Sequence, residues 1–246
     1  MQSTGWRLMP ELEARGRAAE ARSAAFDGPR PCEVRDLGLV NYADALALQQ
    51  HYVERRKRQE IADQLLFVEH PHVITVGRNG RAENLLASPE ALERAGISFH
   101  STDRGGDVTY HGPGQLVGYP IFDLREWKRD VVAYVRAIEQ VLIDAVAEFR
   151  VPSHRVAGAT GVWTGEGAAE AKLAAIGVHI SRWVTSHGFA LNIDTDLSYF
   201  RYIVPCGLRK PVRSLRELGV AASRADVAEA IKRNMARVFD RELVRG

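Results

Sequence analysis

The chain has 246 residues, 46% hydrophobic and 26% charged, the profile of one or two globular domains. Lys and Arg number 33 against 31 Asp and Glu, a formal charge of +2, which argues against a protein that coats nucleic acid or an anionic membrane. Two cysteines, Cys32 and Cys206, are too few for a disulfide framework, so a reducing cytoplasm is the expected home. No stretch approaches the roughly 18–20 apolar residues that span a bilayer. The longest uncharged run, 108–122, carries five Gly or Pro. The N-terminus has no secretory apolar core, and Glu11, Glu13, Glu20 and Asp27 count against a transit peptide.

Residues 1–33 read as an extension, with one short helix at about 11–25 and a Pro-containing linker. A single main domain is expected over 34–246. Tyr42, Ala45, Leu46, Gln49, Tyr52 and Val53 recur at helical spacing, predicting an amphipathic helix over about 41–59. Apolar runs at 65–69 and 73–76 suit strands on either side of Pro71, and Gly77, Asn79 and Gly80 mark a loop. A short helix at 89–95 and a strand at 97–100 follow. A second long helix is predicted over about 130–149, then a strand meander over 155–193. There Ile176, Val178 and Ile180 share a face, a turn sits near Ser181, and Phe189, Leu191 and Ile193 return. The last helix covers about 224–240. Helices flank runs of strands without strict alternation, so the fold class is α+β with a mixed, largely antiparallel sheet.

Three segments carry candidate chemistry. In Arg104-Gly-Gly-Asp-Val-Thr-Tyr-His-Gly-Pro-Gly-Gln115, the glycines admit close backbone approach and Arg104 and His111 add a planar cation and an imidazole. The alternative is a set of hairpin turns, and the spacing is not a nucleotide fingerprint. Lys172 is one of five lysines among 33 basic residues and opens an apolar strand. Desolvation there favours a neutral amine and a proton shuttle, against an ordinary snorkelling Lys. Cys206 lies between Pro205 and Gly207; it is either a small core residue or a thiol at a turn, where a nearby ammonium favours the thiolate. Weaker patterns are His70-x-His72 as a metal pair and Cys206, His187 and Asn192 as a thiol hydrolase set. Leu116, Tyr119 and Trp163 are candidates for setting pocket depth.

Together these segments resemble the octanoyl-acyl carrier protein:protein N-octanoyltransferases, the lipoate-protein ligase B family. The resemblance covers about 34–239. It rests on Gly77-Arg78, on the 104–115 segment, on Lys172-Leu-Ala-Ala-Ile-Gly177, on His187-Gly-Phe-Ala-Leu-Asn192 and on Pro205-Cys206-Gly207. His72 stands where the family often has Pro. The resemblance implies the fold of biotin and lipoate protein ligase catalytic domains, with Cys206 as acyl-accepting nucleophile and Lys172 as its partner. It also implies an acyl site lined by Arg104, Gly105, Gly106, Asp107, Val108, Thr109, Tyr110 and His111, by Ala175, Ile176 and Gly177, and by Gly188, Phe189 and Ala190.

Donor and acceptors follow from the same resemblance: octanoyl-acyl carrier protein, and lipoyl domains of 2-oxoacid dehydrogenase E2 subunits or glycine cleavage H protein. A thioester is already activated, so no cofactor, metal, nucleic acid or membrane is called for. Arg209, Lys210, Arg213 and Arg216 form either a dock for an acidic carrier or a solvated basic face. The nearest alternative is an ATP-dependent lipoate or biotin ligase of the same fold, which also needs a Lys but has no use for a thiol nucleophile. A non-catalytic relative that only binds a carrier has no need of both Lys172 and Cys206.

Overall fold

The computed structural model describes residues 28–204 and 210–246. The predicted helix at 11–25 therefore lies outside the described residues, as does Cys206. Residues Pro31–Gly246 form one compact unit. In chain order it contains β1 (Arg30–Leu39), α1 (Tyr42–Lys57), β2 (Asp63–Glu69), β3 (Val73–Val76), α2 (Pro89–Arg94), β4 (Ser98–Ser101), β5 (Val108–His111) and β6 (Gln115–Ile121). There follow α3 (Val131–Ala147), β7 (His154–Val156), β8 (Ala159–Thr164), β9 (Ala171–Ser181), β10 (Val184–Asn192), α4 (Arg224–Phe239) and β11 (Arg241–Arg245).

Eight strands make one sheet in the order β11-β1-β2-β6-β10-β9-β8-β7, and β4-β3-β5 make a second. Parallel pairs are β1 with β2 and β3 with β4, while β2–β6, β6–β10, β10–β9, β9–β8, β8–β7 and β3–β5 are antiparallel. The predicted class, α+β with a mixed and mainly antiparallel sheet, is the observed one. Two strands were absent from the sequence reading: β1, which starts before the expected domain boundary, and β11. Both are charge-rich, RPCEVRDLGL and RELVR, and neither shows a clean apolar alternation.

The large sheet has two covered faces, sorted by strand alternation. Leu65 and Phe67 of β2, Leu116 of β6 and Leu191 of β10 point to the side packed by α3 and α4. Leu66 and Val68 of β2, Val117, Tyr119 and Ile121 of β6, and Ala190 of β10 point to the side covered by α1 through Ala45 and Val53. Helix starts are fixed by local chemistry. Asp130 accepts from the Ala133 N–H at 2.9 Å, and Ser223 with Asp226 makes a reciprocal capping box before α4. Among the described residues no helix is long and apolar enough to cross a membrane.

A buried ionic cluster joins the ends of these elements. Asp63, at the start of β2, accepts from Arg56 Nε and from Arg241 Nε, both at 2.8 Å, and Arg56 Nη2 reaches Glu126 at 2.6 Å. The end of α1 and the start of β11 are thereby anchored to one carboxylate.

Candidate active site

A narrow cleft lies between α1, the 104–111 segment and β6, β9 and β10. Its walls include Arg104, Gly106, Thr109, His111, Ala175, Ile176, Gly177, Gly188, Phe189 and Ala190. Three separate sequence motifs therefore meet at one cleft. Strand β5 contributes only alternate residues. Thr109 and His111 face the cleft, whereas Val108 and Tyr110 pack with Ile74, Leu92, Ile97 and Ile203 under the small sheet. Gly105 does not line the cleft either; its N–H donates to Val178 O at 2.8 Å and ties the segment to β9. Sequence reasoning missed Tyr42 and Val117, which complete the wall with Tyr119 and His187. The helical stripe of Tyr42, Ala45, Gln49 and Val53 signalled a buried face without indicating what it covers.

Arg104 is buried and spends its guanidinium on protein. Nε and Nη2 donate to Thr75 Oγ1 at 3.2 and 3.0 Å, Nη2 also to Thr75 O at 2.7 Å and Asp107 O at 2.8 Å, and Nη1 to Gly105 O at 3.0 Å. The fork stitches the glycine segment to β3. Gly77 belongs to the same construction: a Cβ there would run into Gly106 O and come within 2.9 Å of Arg104 O. That close approach lets Gly77, Arg78 and Asn79 donate their N–H groups to the carbonyls of Asp107, Arg104 and Gly106.

One end of the cleft carries buried aromatic and imidazole groups. His70 Nδ1 donates to Val40 O at 2.6 Å, so its Nε2 accepts from the Tyr119 hydroxyl at 2.8 Å. Gln115 Nε2 donates to Tyr110 O and Asn192 Oδ1, which turns its Oε1 towards His111 Nδ1 at 2.7 Å and places the proton on that nitrogen. Burial, with the His70 ring beside it, holds the His111 pKa down to about 3. Burial likewise lowers His70, and it lowers His187 despite the opposing hydrogen bond to Asp103 at 2.7 Å. The imidazoles at this end are neutral, which keeps the cleft compatible with an apolar guest.

A second, more polar cleft adjoins the first and shares Gly106 and Ile176 with it. Lys172 lines it together with Asn79, Arg81, Asn84 and Asp107. Lys172 is 6% exposed, its Nζ donates to Thr160 O at 3.2 Å, and it lies 4.7 Å from the centroid of the Trp163 ring. Asp107, expected on the acyl wall, instead belongs here, accepting from the Arg81 N–H and from Asn84 Nδ2. Trp163 thus packs beneath Lys172 rather than setting pocket depth, and Leu116 faces the opposite side of the sheet. Residues on either side of 205–209 are hydrogen-bonded to the backbone of two residues that line this cleft. Val204 N donates to Asn84 O at 2.8 Å, and Lys172 N donates to Pro211 O at 2.9 Å.

Other candidate constellations do not assemble. His72 Nδ1 pairs with the Tyr110 hydroxyl at 2.7 Å and its ring stacks on Tyr199, away from the bonds His70 makes. Among the described residues no group of three metal-ligating side chains converges. Asn192 is engaged with Gln115 and Arg213 O, and the His187 ring with Asp103, so the two do not form a hydrolase pair. Of the basic run, Lys210 pairs with Glu170, Arg213 with Glu217 at 3.6 Å and Arg216 with Asp194, a largely neutralised surface; Arg209 lies outside the described residues. Cys32 is fully buried, and burial raises its thiol pKa well above the ordinary range, which leaves it inert.

Residues 41–236 match the lipoyl protein ligase A/B catalytic domain family. An octanoyltransferase of Solibacter usitatus is 61% identical over 217 residues, covering 88% of this chain and 97% of the relative. One of Koribacter versatilis is 52% identical over 216 residues, covering 86% of each. Among solved structures, a bipartite lipoate protein ligase of Thermoplasma acidophilum superposes with a TM-score of 0.72 at 16% identity, over 89% of this chain and 87% of the other. At that identity the likeness concerns the fold.

Proposed function

The chain belongs to the lipoyl protein ligase A/B catalytic domain family, and within it we propose that it is an octanoyltransferase. It moves an octanoyl group from octanoyl-acyl carrier protein to a lysine of a lipoyl domain, by way of a thioester on Cys206. The acceptors are lipoyl domains of 2-oxoacid dehydrogenase E2 subunits and glycine cleavage H protein, and the reaction takes place in the cytoplasm.

The acyl tail occupies the first cleft, which is walled by Val117, Ile176, Phe189 and Ala190. The reacting carbonyl lies towards Gly106 and Ile176, where the two clefts meet. Cys206 Sγ attacks that carbonyl carbon, the bond to the pantetheine sulfur breaks, and Lys172 Nζ delivers a proton to the leaving thiolate. Backbone N–H groups next to Cys206 in sequence or at 175–177 receive the oxyanion. The acceptor amine then attacks the acyl-enzyme, Cys206 leaves as thiolate, and Lys172 takes the proton released by the amine.

One observation carries this reading. The residues flanking 205–209 are hydrogen-bonded to Asn84 and Lys172, and both line the polar cleft that adjoins the apolar one. Residues on both sides of the nucleophile's segment are thus bonded to the lining of the cleft that holds its proposed partner. An ATP-dependent ligase is the competing reading. It is tested by supplying apo-lipoyl domain with octanoyl carrier protein, or with free octanoate, ATP and magnesium. Transfer from the carrier without ATP supports the proposal; modification only with octanoate and ATP overturns it.

A further inference from the structure

The Lys172 ammonium is held by a peptide group that is itself engaged at its other end. Thr160 O accepts from Lys172 Nζ at 3.2 Å, and the N–H of the same peptide, on Gly161, donates to Glu139 Oε1 at 3.1 Å. Glu139 comes from the middle of α3, its side chain is 1% exposed, and its Oε2 accepts from Arg136 Nη1 at 2.7 Å and Arg155 Nε at 3.0 Å. Oε1 is thereby left for the Gly161 N–H. The arrangement depends on Gly161, whose φ of +129° disfavours other residues and where a Cβ would lie 2.6 Å from Ala174 O. A register shift at Val162 and Trp163 brings this stretch of β8 against Lys172.

We propose that Glu139 is a positioning residue for Lys172, acting through the Thr160–Gly161 peptide. A carboxylate on the N–H of a peptide polarises it, making its carbonyl oxygen a stronger acceptor for an ammonium. The buried carboxylate thereby holds Lys172 Nζ at the wall of the polar cleft. From that position Lys172 delivers the proton to the leaving thiolate in the first half-reaction. The inference rests on the functional reading above, since it assigns Glu139 a role only through Lys172.

Other charges face Lys172. Lys210 shares the Trp163 ring, 5.5 Å from its centroid, and pairs with Glu170, which also meets His154 of β7. Asp107 and Arg81 stand across the cleft, and Arg136 and Arg155 lie behind Glu139. Of these, Glu139 alone is bonded to the peptide that Lys172 uses.

The test is single-turnover acylation by octanoyl carrier protein in wild type, Glu139→Gln, Lys172→Ala and the double variant. Glu139→Gln keeps an acceptor for Gly161 but removes the charge. Its acylation rate is expected to fall by about tenfold as Lys172 Nζ loses its fixed position. Carrier KM should stay within about twofold, because the tail and docking contacts are untouched. In the Lys172→Ala background the Glu139 change should have no further effect. If Glu139→Gln fails to fold, the paired change Glu139→Gln with Arg155→Gln removes both charges together, and the rate should fall in the same way with KM kept. An unchanged acylation rate in a folded variant overturns the role of Glu139. Wild-type acylation by Lys172→Ala would instead overturn the functional reading beneath it.

Discussion

Replacing Arg104 by Lys separates two roles for this residue. As read from the sequence it is a donor to substrate; in the fold its guanidinium reaches Thr75, Gly105 and Asp107. A lysine ends in one nitrogen and cannot reproduce contacts made from Nε, Nη1 and Nη2. Losing two charged hydrogen bonds at about 1.5 kcal/mol each gives about 3 kcal/mol. In a domain of this size that lowers Tm by roughly 6–12 °C. The 104–107 segment frames both clefts, so kcat/KM for octanoyl transfer should fall by about 10- to 100-fold with the misplaced wall. Thermal melts and steady-state kinetics on the same preparation check both. An unchanged Tm with a raised KM alone would show that Arg104 acts by touching substrate, and the stitching argument would be wrong.

Adding a methyl at Gly77 brings a Cβ to 2.8 Å from Arg104 Nη1 and 2.9 Å from Arg104 O, so Gly77→Ala should cost about 1–3 kcal/mol in a urea titration. Tyr119→Phe strips the buried His70 Nε2 of its donor and should lower stability by about 1–3 kcal/mol, measured the same way. His111, pressed to about pKa 3 by burial, takes up its proton in the unfolded chain near pH 6.5. Stability is therefore fully present above pH 6.5 and declines as pH falls towards 3. Between pH 6.5 and 5 the decline from this ring is about 2 kcal/mol, and His111→Asn should flatten the urea-midpoint slope there by that amount. In native protein treated with iodoacetamide, peptide mass analysis should find Cys206 alkylated and Cys32, buried with a raised pKa, untouched; equal labelling would refute that contrast.

How much of this was legible in the sequence depends on what each residue contacts. The helices at 42–57, 131–147 and 224–239 were readable because one stripe of each faces a sheet. The 181–184 hairpin was readable from apolar alternation on both its strands. Strands β1 and β11 escaped because the alternation of Cys32, Glu33, Val34 and Arg35 is cut short at Asp36, β11 has none, and their partners lie far off in sequence. The glycine motif announced the site, but not which of its side chains face it. Val108 and Tyr110 turn away because a strand alternates, and that required knowing that 108–111 pairs with β3. Glu139 gave no local signal: it looks like a polar position on an otherwise apolar helix, and its partners Arg155 and Gly161 come from β7 and β8. The basic run after Cys206 left a carrier dock and a solvated face equally open because two of its partners, Glu170 and Asp194, come from distant segments.

The most direct test of the proposed transfer is the intact mass of the protein after mixing with octanoyl-acyl carrier protein, for wild type and Cys206→Ser, before and after addition of an apo-lipoyl domain. The account predicts an octanoyl adduct on wild type alone, which disappears as the acceptor lysine gains the same mass. An adduct that survives in Cys206→Ser, or octanoyl transfer by that variant at the wild-type rate, would contradict it.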